Sequence, residues 1–285
     1  KDLIIDYKTG GYKIYTTIDL DYQEYARDSL KMAYDKAIER SKKEFELDDE
    51  NLTQLNAAFI SIESDTGNIL ALVGGIDYQK SSYNRAIQSK RQPGSAFKPF
   101  LYQVALDYGY STVSNLIDVS RTYDYEKNGE TVLWQPNNYE KNYKGLIELK
   151  EALIHSRNLA TINLVTDISL KNMHRAITDY GIKDVPNDLS ISLGTMGMSP
   201  LTLSKYYTLF SNNGVMVEPR LIDKIVDKYG VIAEQPKKEK FITTKEQSFL
   251  MTDILRSVVN RGTGRRARVA GLEIAGKTGT TNNFI

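Results

Sequence analysis

Near its start the chain places β-prone residues in Tyr12-Lys13-Ile14-Tyr15-Thr16-Thr17-Ile18, which predicts a strand. Asp19 follows as a good N-cap for a long helical stretch running into the forties. Across residues 39–44 every position except Ser41 is ionisable, a pattern that reads as a solvated helix face in preference to a contact surface. Residues 57–63 and 68–73 are apolar runs on either side of the turn Ser64-Asp65-Thr66-Gly67, which predicts a hairpin. Between about 95 and 260 the apolar residues recur mostly at helical spacing, as at Leu149, Leu153, Leu159 and Ile162. Strand character returns at 215–217, 221–226 and 272–277. Strands at both ends of a helical middle predict one sheet built from distant parts of the chain, a helical layer inserted between them, and a cleft between the layers as the natural place for a site.

Composition narrows this only a little. With 285 residues, 41% hydrophobic and 26% charged, the chain is of ordinary globular type. Its 37 basic and 36 acidic residues leave a formal charge of +1, which gives no reason to expect a nucleic-acid partner. The absence of cysteine excludes disulfides and thiolate metal sites, and two histidines, His155 and His174, make a His-rich metal site implausible. No metal or other cofactor is expected. No run approaches the ~18 to 20 apolar residues of a membrane span, so these residues are expected to behave as a soluble fragment.

The candidate chemistry centres on Arg91-Gln92-Pro93-Gly94-Ser95-Ala96-Phe97-Lys98-Pro99-Phe100. Pro93-Gly94 breaks the preceding segment, so Ser95 falls near a helix N-terminus with Lys98 three residues on, along the same face. A serine hydroxyl needs a neighbouring base to become a nucleophile, and a lysine serves only when burial or another cation lowers its pKa. Taken alone, S-x-x-K is weak, because a capping serine beside a solvated lysine has the same pattern.

K-T-G occurs at Lys8-Thr9-Gly10 and at Lys277-Thr278-Gly279. The first reads as a turn. The second ends an apolar run, and Lys277 with the hydroxyls of Thr278 and Thr280 suits a substrate carboxylate. S-x-N occurs at Ser82-Tyr83-Asn84, Ser156-Arg157-Asn158 and Ser211-Asn212-Asn213. The first precedes Ser95 and the third runs into Gly214 as a helix-ending turn, whereas Ser156 to Asn158 forms a polar corner between two helical runs. There Asn158 suits a substrate amide, and Ser156 suits proton transfer between Lys98 and a leaving group.

S-x-x-K, S-D-N and K-T-G together mark penicillin-binding proteins and class A β-lactamases. With all three in order, the chain resembles the transpeptidase domain of class A, bifunctional penicillin-binding proteins. The likeness extends through Gly74-Gly75-Ile76-Asp77-Tyr78, Tyr83-Asn84-Arg85-Ala86, Trp134-Gln135-Pro136-Asn137-Asn138-Tyr139, Gly262-Thr263-Gly264 and Gly276-Lys277-Thr278-Gly279-Thr280-Thr281. The resemblance implies the α+β layered fold, within the broad α/β class, of serine β-lactamases and penicillin-binding transpeptidases. An N-terminal strand and helix over 1–50 would lead into a domain over 51–285, with the sheet from 56–75 and 215–285, a helical subdomain over about 90–212, and truncation after the K-T-G strand.

It further implies a D,D-transpeptidase that cross-links peptidoglycan stem peptides at the periplasmic or extracellular face of the bacterial cytoplasmic membrane. Ser95 would form an acyl-enzyme from D-Ala-D-Ala ends, assisted by Lys98, Ser156, Asn158 and Lys277. Thr278, Gly279 and Thr280 would bind substrate, the backbone N–H groups of Ser95 and Thr280 would form the oxyanion hole, and β-lactams would acylate the same serine. An upstream glycosyltransferase domain and membrane anchor are expected in the full-length protein. Arg157 in place of the aspartate of S-D-N fits the penicillin-binding side better than the β-lactamase side. A serine β-lactamase and a non-turnover β-lactam sensor or scaffold are the rival readings. Arg261-Gly262-Thr263-Gly264-Arg265-Arg266 lacks the glycine spacing and lysine of a P-loop and is read as a loop beside the cleft.

Overall fold

The computed structural model describes residues 10–45, 55–127 and 130–280. The chain divides into two compact units, 1–90 with 198–241 and 91–197 with 242–285.

In the first unit Lys13–Thr16 pairs antiparallel with Ile222–Asp227, which pairs in turn with Gly230–Glu234. Phe59–Ile62 and Ile69–Val73 form the expected hairpin, and Val215–Val217 pairs with Glu239–Phe241. Asp19 caps the helix Leu20–Phe45 by accepting from the N–H groups of Asp21 and Tyr22 at 3.0 and 3.1 Å. That helix sets Ala26 and Leu30 against Ala71 and Val73 of the hairpin. Gln23 locks the contact, its side chain donating to Leu72 O (3.1 Å) and accepting from Leu72 N–H (2.8 Å). The charged residues of the 39–44 run are exposed, as expected of a solvated face. Ser211 to Asn213 ends the helix Pro200–Ser211 in a turn, with Asn213 at φ 53° before Gly214. Asn84 caps the short helix Arg85–Gln88. Lys8 and Thr9 lie outside the described residues.

The second unit is built around the helix Lys98–Asp107. Every residue from Lys98 to Leu106 is buried, so the helix has no solvent face and shows no amphipathic stripe. Helices Leu149–Ile154, Asn158–Ile168, Leu170–Asp179 and Lys245–Arg261 pack around it, supplying Leu153, Ile154, Leu159, Ile162, Met173, Val258 and Val259 to the core. Its C-terminal end is pinned by Asp107, which accepts from Thr243 Oγ1 (2.6 Å), Gln103 Nε2 (3.0 Å) and Tyr180 O–H (3.1 Å). Burial pushes the Asp107 carboxyl up from its usual range.

Two sequence expectations change here. Residues 272–277 form no strand: a strand exists only with a ladder partner, and what lies beside this segment is the last helix, Gly276 N–H donating to Leu255 O at 3.2 Å. Conversely, the stretch read as helical contains two antiparallel pairs, Asn115–Asp118 with Gly145–Glu148 and Tyr123–Lys127 with Glu130–Trp134.

At the helix entrance the Gly94–Phe97 turn is clamped by a second 3-10 turn, Leu189–Leu193, which ends in Gly194 at φ 66°. Gly94 N–H donates to Gly194 O at 3.1 Å. A Cβ on Gly194 would overlap the carbonyl oxygen of Gly94, and both partners are backbone. Gly194→Ala is therefore expected to destabilise the protein by about 1–3 kcal/mol, measured as a lowered denaturation midpoint at unchanged m-value.

Candidate active site

Ser95 sits in the Gly94–Phe97 3-10 turn that runs directly into the helix beginning at Lys98. Residues three apart eclipse in such a turn, which puts Lys98 on the side of Ser95 as the spacing predicted, and Lys98 N–H donates to Ser95 O. The Ser95 hydroxyl itself has no hydrogen bond among the described residues.

The Lys98 side chain is fully buried. Its Nζ donates to Ser156 O at 2.8 Å and to Asn158 Oδ1 at 2.7 Å. Burial holds its pKa well below the usual lysine range, the positive charges of Lys277 and Arg157 lower it further, and Asp118 opposes them. Lys277 Nζ donates to Ser156 Oγ and to Thr278 O, both at 2.9 Å, and burial lowers its pKa to about 8. The structure thus links Asn158, Lys98, Ser156 and Lys277 in one chain of contacts, drawn from three distant stretches of sequence.

Ser156 is reached by an unusual backbone. The helix Leu149–Ile154 ends with Ser156 N–H donating to Leu153 O (3.1 Å) and Arg157 N–H to Ala152 O (2.8 Å). This is a Schellman closure, whose left-handed position is usually glycine. Here Ser156 occupies it at φ 54°. The next helix, Asn158–Ile168, then starts with Asn158 directed to Lys98.

The K-T-G segment approaches along the turn that carries Ser95. A Cβ on Gly94 would overlap Thr280 O, and one on Gly279 would overlap Pro93 O and stand 3.0 Å from Ala96 Cβ. Glycine at these two positions lets the backbone of Thr280 run against the backbone carrying Ser95. Thr278 Oγ1 donates to Thr263 Oγ1 at 2.8 Å. Ser95, Lys98, Ser156, Asn158, Lys277, Thr278, Gly279 and Thr280 all fall in the second unit. His155 points elsewhere, 3.6 Å from Glu151.

Three residues that contact this group, Thr263, Asp118 and Asn138, were given no role by the sequence reading, which weighed Arg157 only as a departure from S-D-N. Thr263 comes from the Arg261-to-Arg266 segment, which was read as a loop beside the cleft without any one residue of it being singled out. Asp118, Asn138 and Arg157 form a buried polar cluster behind the S-x-N corner. Arg157 Nε donates to Asp118 Oδ2 at 2.9 Å, Asn138 Nδ2 donates to Asp118 Oδ1 at 2.9 Å, and Asn138 Oδ1 accepts from the N–H groups of Asn158 (2.9 Å) and Leu159 (3.1 Å). The available signal was the Trp134-to-Tyr139 block, which contains Asn138 at an interval no short motif records.

With this geometry in view, comparison with known proteins is informative. The family model described as the penicillin-binding protein transpeptidase domain matches residues 57–284. Penicillin-binding protein 1A of Aquifex aeolicus is 38% identical over 237 residues, covering 82% of this chain and 32% of the relative. Its counterpart from Neisseria gonorrhoeae is 36% identical over 240 residues, covering 80% and 30%. The chain thus spans about a third of the length of these curated relatives. The crystal structure of penicillin-binding protein 1A from Haemophilus influenzae superposes with a TM-score of 0.84 at 23% identity, covering 96% of this chain and 59% of that one. PonA1 from Mycobacterium tuberculosis in complex with penicillin V gives 0.74 at 22% identity, covering 96% and 71%. These superpositions establish the fold, and the family match over most of the chain establishes its kinship: the chain belongs to the penicillin-binding protein transpeptidase domain family, among the homologues of the class A protein 1A.

Proposed function

We propose that the chain is a peptidoglycan D,D-transpeptidase that works through a Ser95 acyl-enzyme and is acylated at the same residue by β-lactams. The observation that carries this reading is the state of Lys98. A neutral amine has two N–H bonds and one lone pair, and the two N–H bonds are committed to Ser156 O and Asn158 Oδ1. The lone pair is left for the proton of Ser95, one 3-10 turn away, and burial, followed by the nearby charges of Lys277 and Arg157, favours the neutral amine by lowering its pKa well below the usual lysine range.

In the forward step the Lys98 lone pair takes the Ser95 proton as Oγ attacks the carbonyl carbon of the penultimate D-alanine. The N–H groups of Ser95 and Thr280 receive the developing oxyanion. Collapse breaks the C–N bond, and the departing D-alanine amine gains a proton passed from Lys98 through the Ser156 hydroxyl. Because Ser156 Oγ accepts from Lys277, its own proton points onward to the leaving group. Lys277, Thr278 and Thr280 hold the terminal carboxylate, Asn158 the substrate amide, and an acceptor amine resolves the ester. Two carboxylates near the S-x-N corner are already engaged: Asp118 accepts from Arg157, Asn138 and Lys144 N–H, and Glu151 binds Arg261. This favours the transpeptidase over a β-lactamase, which needs a carboxylate or similar base to activate water. Action at the outer face of the cytoplasmic membrane, beside an upstream glycosyltransferase domain and anchor, follows from the same reading.

Three measurements test it. Intact mass after incubation with a penicillin is expected to show one adduct that persists for hours, absent in Ser95→Ala. An adduct lost within seconds as hydrolysed drug accumulates would indicate a β-lactamase, and no adduct on the folded parent would remove Ser95 from its role. The acylation rate is expected to rise with pH along an acid limb lying below the ordinary lysine pKa, because the base must be neutral. Lys277→Met deletes a cation that depresses Lys98, so that limb is expected to move to higher pH, read from rate profiles against a chromogenic cephalosporin. Ser156→Gly relieves a left-handed serine at the expense of added unfolded-chain freedom. It is expected to leave stability within about 1 kcal/mol of the parent while acylation falls at least tenfold.

A further inference from the structure

Behind the S-x-N corner, Arg157 is 3% exposed and spends its whole guanidinium fork on the protein. Nε and NH2 both reach Asp118 Oδ2, at 2.9 and 2.6 Å, and NH2 also donates to Asn142 O at 2.6 Å. NH1 donates to Asn142 Oδ1 at 2.7 Å and to Glu140 Oε2 at 3.3 Å. Asp118, itself fully buried on the strand Asn115–Asp118, accepts from Asn138 Nδ2 through its other oxygen. Asn138 then caps the helix Asn158–Ile168 by accepting from its first two N–H groups, while Asn158 Nδ2 donates to Asn137 O at 3.1 Å.

The two residues flanking Arg157 are the ones that touch Lys98. Ser156 supplies a carbonyl and stands at φ 54°, a conformation that costs a non-glycine residue about 1–2 kcal/mol and persists only when its surroundings impose it. Asn158 supplies its side-chain oxygen. Held between them by a buried ion pair in which two of its nitrogens share Asp118 Oδ2, Arg157 restrains both neighbours.

We propose that Arg157, joined to Asp118 and through it to Asn138, is a positioning residue for acylation: it imposes the left-handed Ser156 turn and the Asn158 rotamer that hold the Lys98 amine toward Ser95. This inference rests on the acyl-enzyme reading above. A guanidinium is required because one planar fork reaches a strand carboxylate and a loop carbonyl at once, which a lysine ammonium does not reproduce.

Two variants test it in the intact protein. The double variant Asp118→Leu with Arg157→Met removes both buried charges together and leaves neither unpaired. Arg157→Lys keeps the charge and loses the fork. For each, thermal unfolding and near-ultraviolet circular dichroism report the fold, and stopped-flow acylation by a penicillin separates the dissociation constant of the pre-acylation complex from the acylation rate constant. Positioning predicts folded variants whose acylation rate constant drops at least tenfold, with the dissociation constant within about threefold of the parent. A folded double variant that acylates at the parental rate overturns the inference and leaves the Ser95 reading intact. Loss of the native fold in both variants also overturns it, by making the cluster a requirement of the fold. A parent that forms no Ser95 adduct overturns the acyl-enzyme reading and this inference together.

Discussion

The second unit is organised by the burial of one amine. Removing an ammonium from water costs several kcal/mol even after relaxation, and the group responds by giving up its proton unless a counter-ion is supplied. Among the described residues the hydrogen-bond partners of the Lys98 side chain are a carbonyl and a side-chain amide oxygen, both neutral. Two cations contribute to the same depression. The helix Lys98–Asp107, buried from Lys98 to Leu106, meets this demand, since the helices packed around it keep its first residue out of water. Polar groups within it, at Lys98, Tyr102, Gln103 and Asp107, are each bonded by side chains brought from elsewhere in the unit.

Close backbone approach is the second requirement, and it explains where glycine is needed and where it is declined. At Gly94 and Gly279 two segments touch through main-chain atoms, so any side chain would separate the K-T-G backbone from the turn that carries Ser95. At Ser156 the backbone conformation also favours glycine, yet the position carries a hydroxyl that accepts from Lys277. Lys141, Ser169, Asp184 and Asn213 also hold positive φ without glycine, but at Ser156 the side chain contacts Lys277 and the next residue, Arg157, is bonded to Asp118 and Asn142.

Legibility in the sequence followed contact distance. The 59–73 hairpin, the Asp19 cap and the helical spacing of Leu149 to Ile162 are local patterns and were readable as such. Ser95 with Lys98 was readable because one turn of helix joins them, and the S-x-N and K-T-G choices followed from order and flanking context. Residues 272–277 have the composition of a strand, but strand formation depends on a partner, and composition carries no information about which element lies alongside. The pairs at 115–118 with 145–148 and 123–127 with 130–134 are short, two-stranded and rich in polar residues, so their period-2 signal was lost within a helical region. Asp118, Asn138 and Thr263 acquire meaning only through partners 20, 39 and 15 residues away, and no spacing rule covers such separations.

Arg157 illustrates how one position can answer two demands. As a charge it opposes protonation of Lys98, and its partner Asp118 works the other way. A carboxylate at position 157 itself would reverse the balance: it would stand two residues' reach from the amine, raise its pKa, and leave Asp118 buried beside a like charge. The arginine inverts that arrangement, placing the cation at the corner and the anion one layer back on a strand. The pKa of the amine therefore stays lowered while both buried charges remain paired, which is the condition under which a buried ion pair can be tolerated. Arg157 thus bonds across the corner and also adds, after burial and Lys277, to the lowering of the Lys98 pKa.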